Sequence, residues 1–491
     1  MGAGIGGMAA AHRLVEKTGC KVIVIERNPS CGGLARSART DDGKHTEYCW
    51  HMINRAYKTL PGILKEIPDG NGKQVFDHLR PLRQYKFFKT NEDPIVHKNT
   101  NFLTDWMNFF PKLGRLTGKS HISDMPKTLF KLLRTRFLSR GELEKFDDIT
   151  WDDFNKDLSD EMRNWIIEST SIYLGMDYKK VSAHALLDLI YKDASLSFDS
   201  SADFFAFDGP MNEVWFDPWQ RSLEKQGVKF LMETSVVQIL HTAGKIDGIV
   251  YKEKTGQEDF LKVDYLINSM GIECLSGLYP LNSDFPTLNE LSTQVQTQVL
   301  FRFGSRLPED DTTCYIWGSS PWFIMGRLEG GFWNLEKEDY ISVGIGKWDT
   351  AGFNGKTALE CTEEELAEEC WNQMTKNGSP FEGEMPEWNI WQSFKFDPKT
   401  QKMTTWEPKF SNNVGTLKLR PFTDDELFPN LKHATAYTRT EMNLFNMDSA
   451  AEAGVMAAQK IVEELDDETN IRPANVEQTE CKSEVNLERT L

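Results

Sequence analysis

Gly2, Gly4 and Gly7, followed by a carboxylate at Glu26, are the residues of this chain whose types and spacing most directly suggest chemistry. Glycines in a G-x-G-x-x-G pattern allow a tight turn, a backbone approach to a pyrophosphate, and a close helix-to-strand contact. An acid about twenty residues further on stands where a ribose hydroxyl is held. For that chemistry to work, a helix must follow the glycines and a buried strand must end at the acid. Met8 to Lys17 has Met8, Ala11, Leu14 and Val15 on one helical face, and Lys21 to Ile25 is an apolar run ending at Glu26. The expected element is therefore half of a dinucleotide-binding site, with phosphates at a helix N-terminus.

The next residues narrow the cofactor. Glu26, then Gly32 and Gly33, then Leu34-Ala35-Arg36-Ser37 resembles the E-x5-G-G-[RKL]-x-[RS] signature of the flavin amine oxidase and phytoene desaturase superfamily. The resemblance implies FAD, with Gly32 and Gly33 against its diphosphate and Arg36 a phosphate or ribityl contact; Arg27, beside Glu26, joins the expected cofactor set. Thr46 to Ile53 is similar to the family's F-D-x-G-x-H-x-[IL], with Glu47 and His51 in place and Cys49 where the family has glycine. That stretch either runs under a flavin ring or is a strand carrying a satisfied histidine.

Two later blocks extend the resemblance. From Gly209 to Leu240, Trp215, Pro218, Gly227 and Val228 follow the family's order, and the backbone at Val236 or Val237 is the implied adenine contact. Pro429 to Val462 is similar to the closing motif, with Ala450 and Gly454 among the small residues that would bring a helix N-terminus close to the flavin. The family's Gly-Asp is Thr435-Ala436 here. Losing a charged hydrogen bond costs on the order of 1.5 to 3 kcal/mol.

At 491 residues, two domains are expected. The implied fold is α/β: a discontinuous Rossmann-type FAD-binding domain from residues 1–60, 205–275 and 412–465, with an inserted α+β substrate-binding domain. That domain comprises a mostly helical part, 61–204, and a sheet-containing part, 276–411; an acidic tail, 466–491, is expected to be disordered. Lys245 to Tyr251 and Phe260 to Lys262 predict a hairpin, and Val263 to Gly271 an apolar strand. Only Met1 precedes Gly2, whereas such a loop normally follows a buried strand of about half a dozen residues. The expectation is that the sequence begins at an internal methionine, the alternative being loss of the central strand.

The net charge of −18 argues against nucleic acid as the main partner. Eight cysteines without C-x-x-C or metal-type spacing point to thiols in a reducing, cytoplasmic compartment and to no metal site. No apolar run is long enough to span a bilayer. Between residues 102 and 140, however, Lys112, Arg115, Lys119, Lys127, Lys131, Arg134, Arg136 and Arg140 interleave with apolar residues. Such a segment fits peripheral membrane contact or a helix of the substrate lobe. Eight tryptophans between Trp317 and Trp406 serve a core or an aromatic substrate cavity, and Lys347 is a candidate flavin-side lysine.

By resemblance, the chain is an FAD-dependent oxidoreductase taking hydride from a small apolar, isoprenoid or lipid-like substrate, as a desaturase does. The alternatives are an amine oxidase and a non-catalytic relative that binds lipidated partners. No residue identifies itself as catalytic, and the sequence leaves the oligomeric state open.

Overall fold

The computed structural model describes residues 1–17, 19–89, 92–98, 120–164, 166, 179–193, 202–278, 290–308, 312–377 and 381–471. The first helix, α1 (Ile5–Lys17), buries Met8, Ala9, Ala10, Ala11 and Leu14. It leads to β1 (Ile23–Ile25), whose β-branched residues suit a sheet interior. β1 pairs in parallel with β2 (Lys229–Leu231), while β3 (Leu266–Asn268) pairs in parallel with β4 (Leu431–His433).

Met1 to Ala3 lies between these pairs. Gly2 N donates to Ile25 O, Met1 N to Ile267 O and Ser269 N to Met1 O, each at 2.8 Å. The segment thus joins both ladders at the place where a central strand delivers the chain to the glycine loop. Burial lowers the Met1 amine to about 6, with the Glu26 charge opposing the shift.

A long C-terminal helix, Met447–Ile471, crosses α1. It carries the chain to Ile471, into the stretch expected as a tail; residues 472–491 lie outside the described residues. The expected hairpin forms from Lys245–Glu253 and Glu258–Lys262, with Thr234–Thr242 as its third strand.

A second, seven-stranded sheet runs in the order 387–389, 298–303, 339–345, 324–328, 313–317, 84–88, 95–98. Its pairs are antiparallel except 84–88 with 313–317. The segment 61–204 therefore contributes strands as well as helices, because Gln84 to Phe88 offers aromatic residues that pack on a pleated surface. The helix Glu363–Lys376 covers one face; its Thr362 cap accepts from Glu365 N at 3.2 Å, and three glutamates occupy its first turn.

Trp317, Trp322, Trp371 and Trp391 are buried in this sheet's core, where Phe88, Tyr315 and Trp317 stack with centroids 5.5 to 6.0 Å apart. These tryptophans pack on neighbouring side chains, as a core does. Of the basic segment, residues 102–119 lie outside the described residues, and 120–136 form α2 (Ser120–Arg136). Among the described residues, no helix is long and apolar enough to cross a membrane.

Candidate functional site

The glycine loop and the Glu26 carboxylate meet directly. Ala3 N donates to Glu26 Oε2 at 2.7 Å, and Glu26 Oε1 accepts from Asn28 N at 2.9 Å and Asn28 Nδ2 at 2.7 Å. Gly32 N donates to Ala3 O at 2.8 Å, which docks the second glycine pair on the first loop. A Cβ on Gly33 would stand 3.1 Å from Gly4 Cα, so the two loops touch at the start of α1. Gly7 faces back onto the Gly2 carbonyl, making the helix-to-strand contact the motif requires. Beside Glu26, Thr234 N donates to its carbonyl at 2.9 Å. Val236 packs with the neighbouring core, and the bulge that follows leaves Val237 38% exposed.

Gly6 was not among the predicted site residues. A Cβ there would lie 2.0 Å from Ala434 O and 3.1 Å from Ala450 O, while one on Gly454 would lie 2.2 Å from Gly6 O. Gly454 thus serves the crossing of α1 and the C-terminal helix, with Ala450 in the same contact. The run Gly2-Ala3-Gly4-Ile5-Gly6-Gly7 contains this extra glycine, which the motif template passes over. Thr435, at the end of β4, closes on Thr438 through their hydroxyls at 2.9 Å, where the family motif has a glycine.

Arg36 is buried and donates to Glu407, whose other oxygen accepts from Trp391 Nε1 at 3.1 Å. Its guanidinium lies 5.5 Å from the Trp391 ring centroid, and its Nε has no hydrogen-bond partner among the described residues. Arg27 is more exposed; it donates to Cys274 Sγ at 2.9 Å and faces Glu273 at 3.7 Å.

Beneath the Glu47 to His51 stretch sits a buried ionic network. Arg327 donates from Nη2 to Glu329 at 2.8 Å and from Nη1 to His51 O at 2.7 Å. Ser342 Oγ lies 2.7 Å from Glu329 and 3.2 Å from Glu47, and Gln298 Nε2 donates to Glu47 at 3.1 Å. Gln298 Oε1 accepts from Trp50 N at 2.6 Å. Three adjoining sheet strands thereby hold this stretch in place.

Burial pushes Glu329 up to about 7 against the attraction of Arg327. Burial also acts to raise Glu47, but His45, Arg327 and Gln298 outweigh it and hold that carboxylate at about 2. The two buried carboxylates are thus driven in opposite directions, Glu329 up and Glu47 down.

Burial lowers His51 to about 4, so its ring is neutral, and its Nδ1 has no hydrogen-bond partner among the described residues. Lys409 adds to that depression and is itself lowered to about 8 by burial, with Cys49 opposing. Cys49 is raised to about 11 by burial. Lys409 gave no sequence signal, being one lysine in the polar run around Glu407. Lys347 lies beyond the strand Asp339–Ile345, its amide bonded to Trp322 O at 2.9 Å.

These residues fit FAD: the paired glycine loops meet without side chains at the start of α1, Glu26 offers a carboxylate to a ribose, and Arg36 Nε and His51 Nδ1 are buried polar atoms without a hydrogen-bond partner among the described residues. Among the described residues, the one group whose histidine and carboxylate atoms converge closely enough for a metal ion is His12, Glu16 and Glu66, and its polar atoms already have partners. Trp219 Nε1 donates to His12 Nδ1 at 3.0 Å, which places the neutral ring's proton on Nε2, 3.3 Å from both carboxylates. Arg13 supplies the cation there, at 2.9 and 2.7 Å.

Residues 1–67 match the NAD(P)-binding Rossmann-like domain family. No curated protein matches the chain. Among solved structures, an oxidoreductase from Methanosarcina mazei is 15% identical with a TM-score of 0.64, covering 93% of this chain and 98% of its own. Wild-type putrescine oxidase bound to putrescine is 13% identical with a TM-score of 0.65, covering 94% and 98%. A protoporphyrinogen oxidase candidate from Exiguobacterium sp. 255-15 is 16% identical with a TM-score of 0.62, covering 94% and 98%. The likeness is one of fold, and it is the fold that the flavin amine oxidase resemblance implies.

Proposed function

We propose that the chain is an FAD-dependent oxidoreductase that removes hydride from an apolar, isoprenoid- or lipid-like substrate. Bound FAD would supply the hydride acceptor at its N5. Glu26 would hold the adenosine ribose, Arg36 and the start of α1 the diphosphate, and the Glu47 to His51 stretch would position the ring edge. The observation that carries the substrate class is the state of the buried charges beside that stretch. Arg327 and its neighbours already engage both Glu47 and Glu329, and Lys409 adds a cation. Both carboxylates beside that stretch are therefore already engaged, so an ammonium substrate would have to displace one of these partners, whereas an apolar C–H donor needs none.

An amine oxidase is the second reading, favoured by the likeness to putrescine oxidase over 94% of the chain. A non-catalytic relative is favoured by Thr435-Ala436. The test is the purified protein's colour and the identity of any flavin released by heat, followed by anaerobic mixing with isoprenoid alkenes in micelles or with putrescine. Bleaching by the alkene supports the proposal. Bleaching by putrescine replaces it with the second reading, and a colourless protein that takes up no added FAD leaves the non-catalytic one.

A further inference from the structure

The helix α2 is mounted with its polar side toward the protein. Asp124, 1% exposed, accepts from Ser159 N at 2.9 Å, Lys131 Nζ donates to Phe154 O at 2.7 Å and pairs with Asp157, and Thr135 is 5% exposed. These positions recur at helical spacing and form one face. On the opposite side, Leu129 is 48% exposed, Phe130 67%, Leu133 49% and, just past the helix, Phe137 86%. A surface helix normally shows the reverse arrangement. The other large exposed apolar side chains of the described residues are scattered over separate segments, whereas these make one contiguous strip.

The charges around the strip select its occupant. From Met125 to Gly141 the chain carries Lys127, Lys131, Arg134, Arg136 and Arg140 and no acid, within a protein of net charge −18. Arg134 is exposed beside the apolar strip, and Lys127, also exposed, pairs with Asp124 at 2.8 Å. A second copy docking symmetrically would bring two basic strips together, which is repulsive. An anionic surface is complementary, and an apolar strip on an exposed helix suits insertion in the plane of an interface.

We propose that α2 seats the protein on anionic lipid bilayers, with Phe130, Leu133 and Phe137 below the headgroups and Arg134 among them. This surface is independent of the redox reading.

The test is sedimentation of the full chain with vesicles of phosphatidylcholine and phosphatidylserine at 7:3, beside pure phosphatidylcholine, at low and high salt. Binding to the mixed vesicles that weakens with salt is expected. The double variant Phe130→Ser, Phe137→Ser should lower the partition coefficient by at least about tenfold, and Arg134→Gln by about fivefold. Phe260→Ser, on the strand Glu258–Lys262 and 49% exposed, should leave it unchanged. Absence of wild-type binding at low salt, equal binding to neutral vesicles, or serine variants that bind like wild type would each overturn the proposal. So would a fall in solution mass on Phe130→Ser without vesicles, which would make the strip a contact between copies.

Discussion

Arg327 and Glu329 form a fully buried ion pair, two residues apart in sequence, with Arg327 Nε 3.0 Å from both Glu329 oxygens. The same guanidinium reaches forward to His51 O, so the pair connects the sheet to the stretch beside the proposed flavin. Replacing one partner of a buried pair leaves an uncompensated charge, at a cost of about 3 to 5 kcal/mol. Arg327→Met should therefore lower the melting temperature markedly. Arg327→Met combined with Glu329→Leu should recover part of the loss, since the Glu329 charge is then not stranded, while Glu47 still loses its Arg327 neighbour. A double variant no better than the single one would show that the pair does not act as a unit.

The pH dependence of that site has a definite sign. Glu329 is raised to about 7 in the folded protein, so between its ordinary carboxylate value and 7 unfolding releases a proton. Its contribution is present at low pH and lost as pH rises through that window. Glu47, held at about 2, contributes above the ordinary carboxylate range and loses its contribution only as pH falls toward 2. Wild type should therefore lose stability relative to Glu329→Gln between about pH 5 and 7.5. Parallel melting-temperature profiles for the two proteins across this range would remove Glu329 from the account.

Lys409 carries the opposite sign. Its amine is lowered to about 8 by burial, so the unfolded chain holds more protons above that pH, and stability rises with pH from 8 toward the ordinary lysine value. Lys409→Met should abolish that rise while leaving FAD content unchanged. In the proposed enzyme it should also move the alkaline limb of the rate profile for flavin reduction. A variant with wild-type melting and rate profiles would place Lys409 outside the site.

Glu26→Ala removes the acceptor at the glycine loop and should weaken FAD binding by about ten- to hundred-fold, the worth of a charge-assisted hydrogen bond. Because Glu26 also receives Ala3 N and Asn28 N, Glu26→Gln is the control for loop integrity. Equilibrium dialysis with FAD and FMN distinguishes the two roles. FMN lacks the adenosine ribose and should respond little, and equal losses for both flavins would assign Glu26 a purely structural task.

The glycine loop and the elements around it were legible because their signals are local. The glycines, the helix from Ile5, the β-branched strand and Glu26 fall within one run of chain, and their periods survive in the structure. The surroundings of Glu47 and Arg36 were opaque because their contacts are remote: Gln298 meets Glu47 across 251 residues, and Arg36 meets Glu407 across 371. For α2 the apolar and basic composition was plain, but nothing in a periodic pattern states which face meets the protein. Asp124 and Lys131 settle it through partners at Ser159 and Asp157.

Gly6 offers the sharpest steric test, since its position was invisible to the G-x-G-x-x-G template. Gly6→Ala would place a methyl group 2.0 Å from Ala434 O, and Gly454→Ala one 2.2 Å from Gly6 O; in both cases the obstacle is backbone and cannot swing aside. Each substitution should force α1 and the C-terminal helix apart, costing about 1 to 3 kcal/mol as overpacking does. FAD uptake should fall with it, because α1 would no longer be held against the loop at Gly33. Gly62→Ala meets no atom within 4 Å and serves as the matched control. Thermal melts and flavin titration of the three variants decide the matter: wild-type behaviour in Gly6→Ala would show that the helices do not cross as closely as this contact requires.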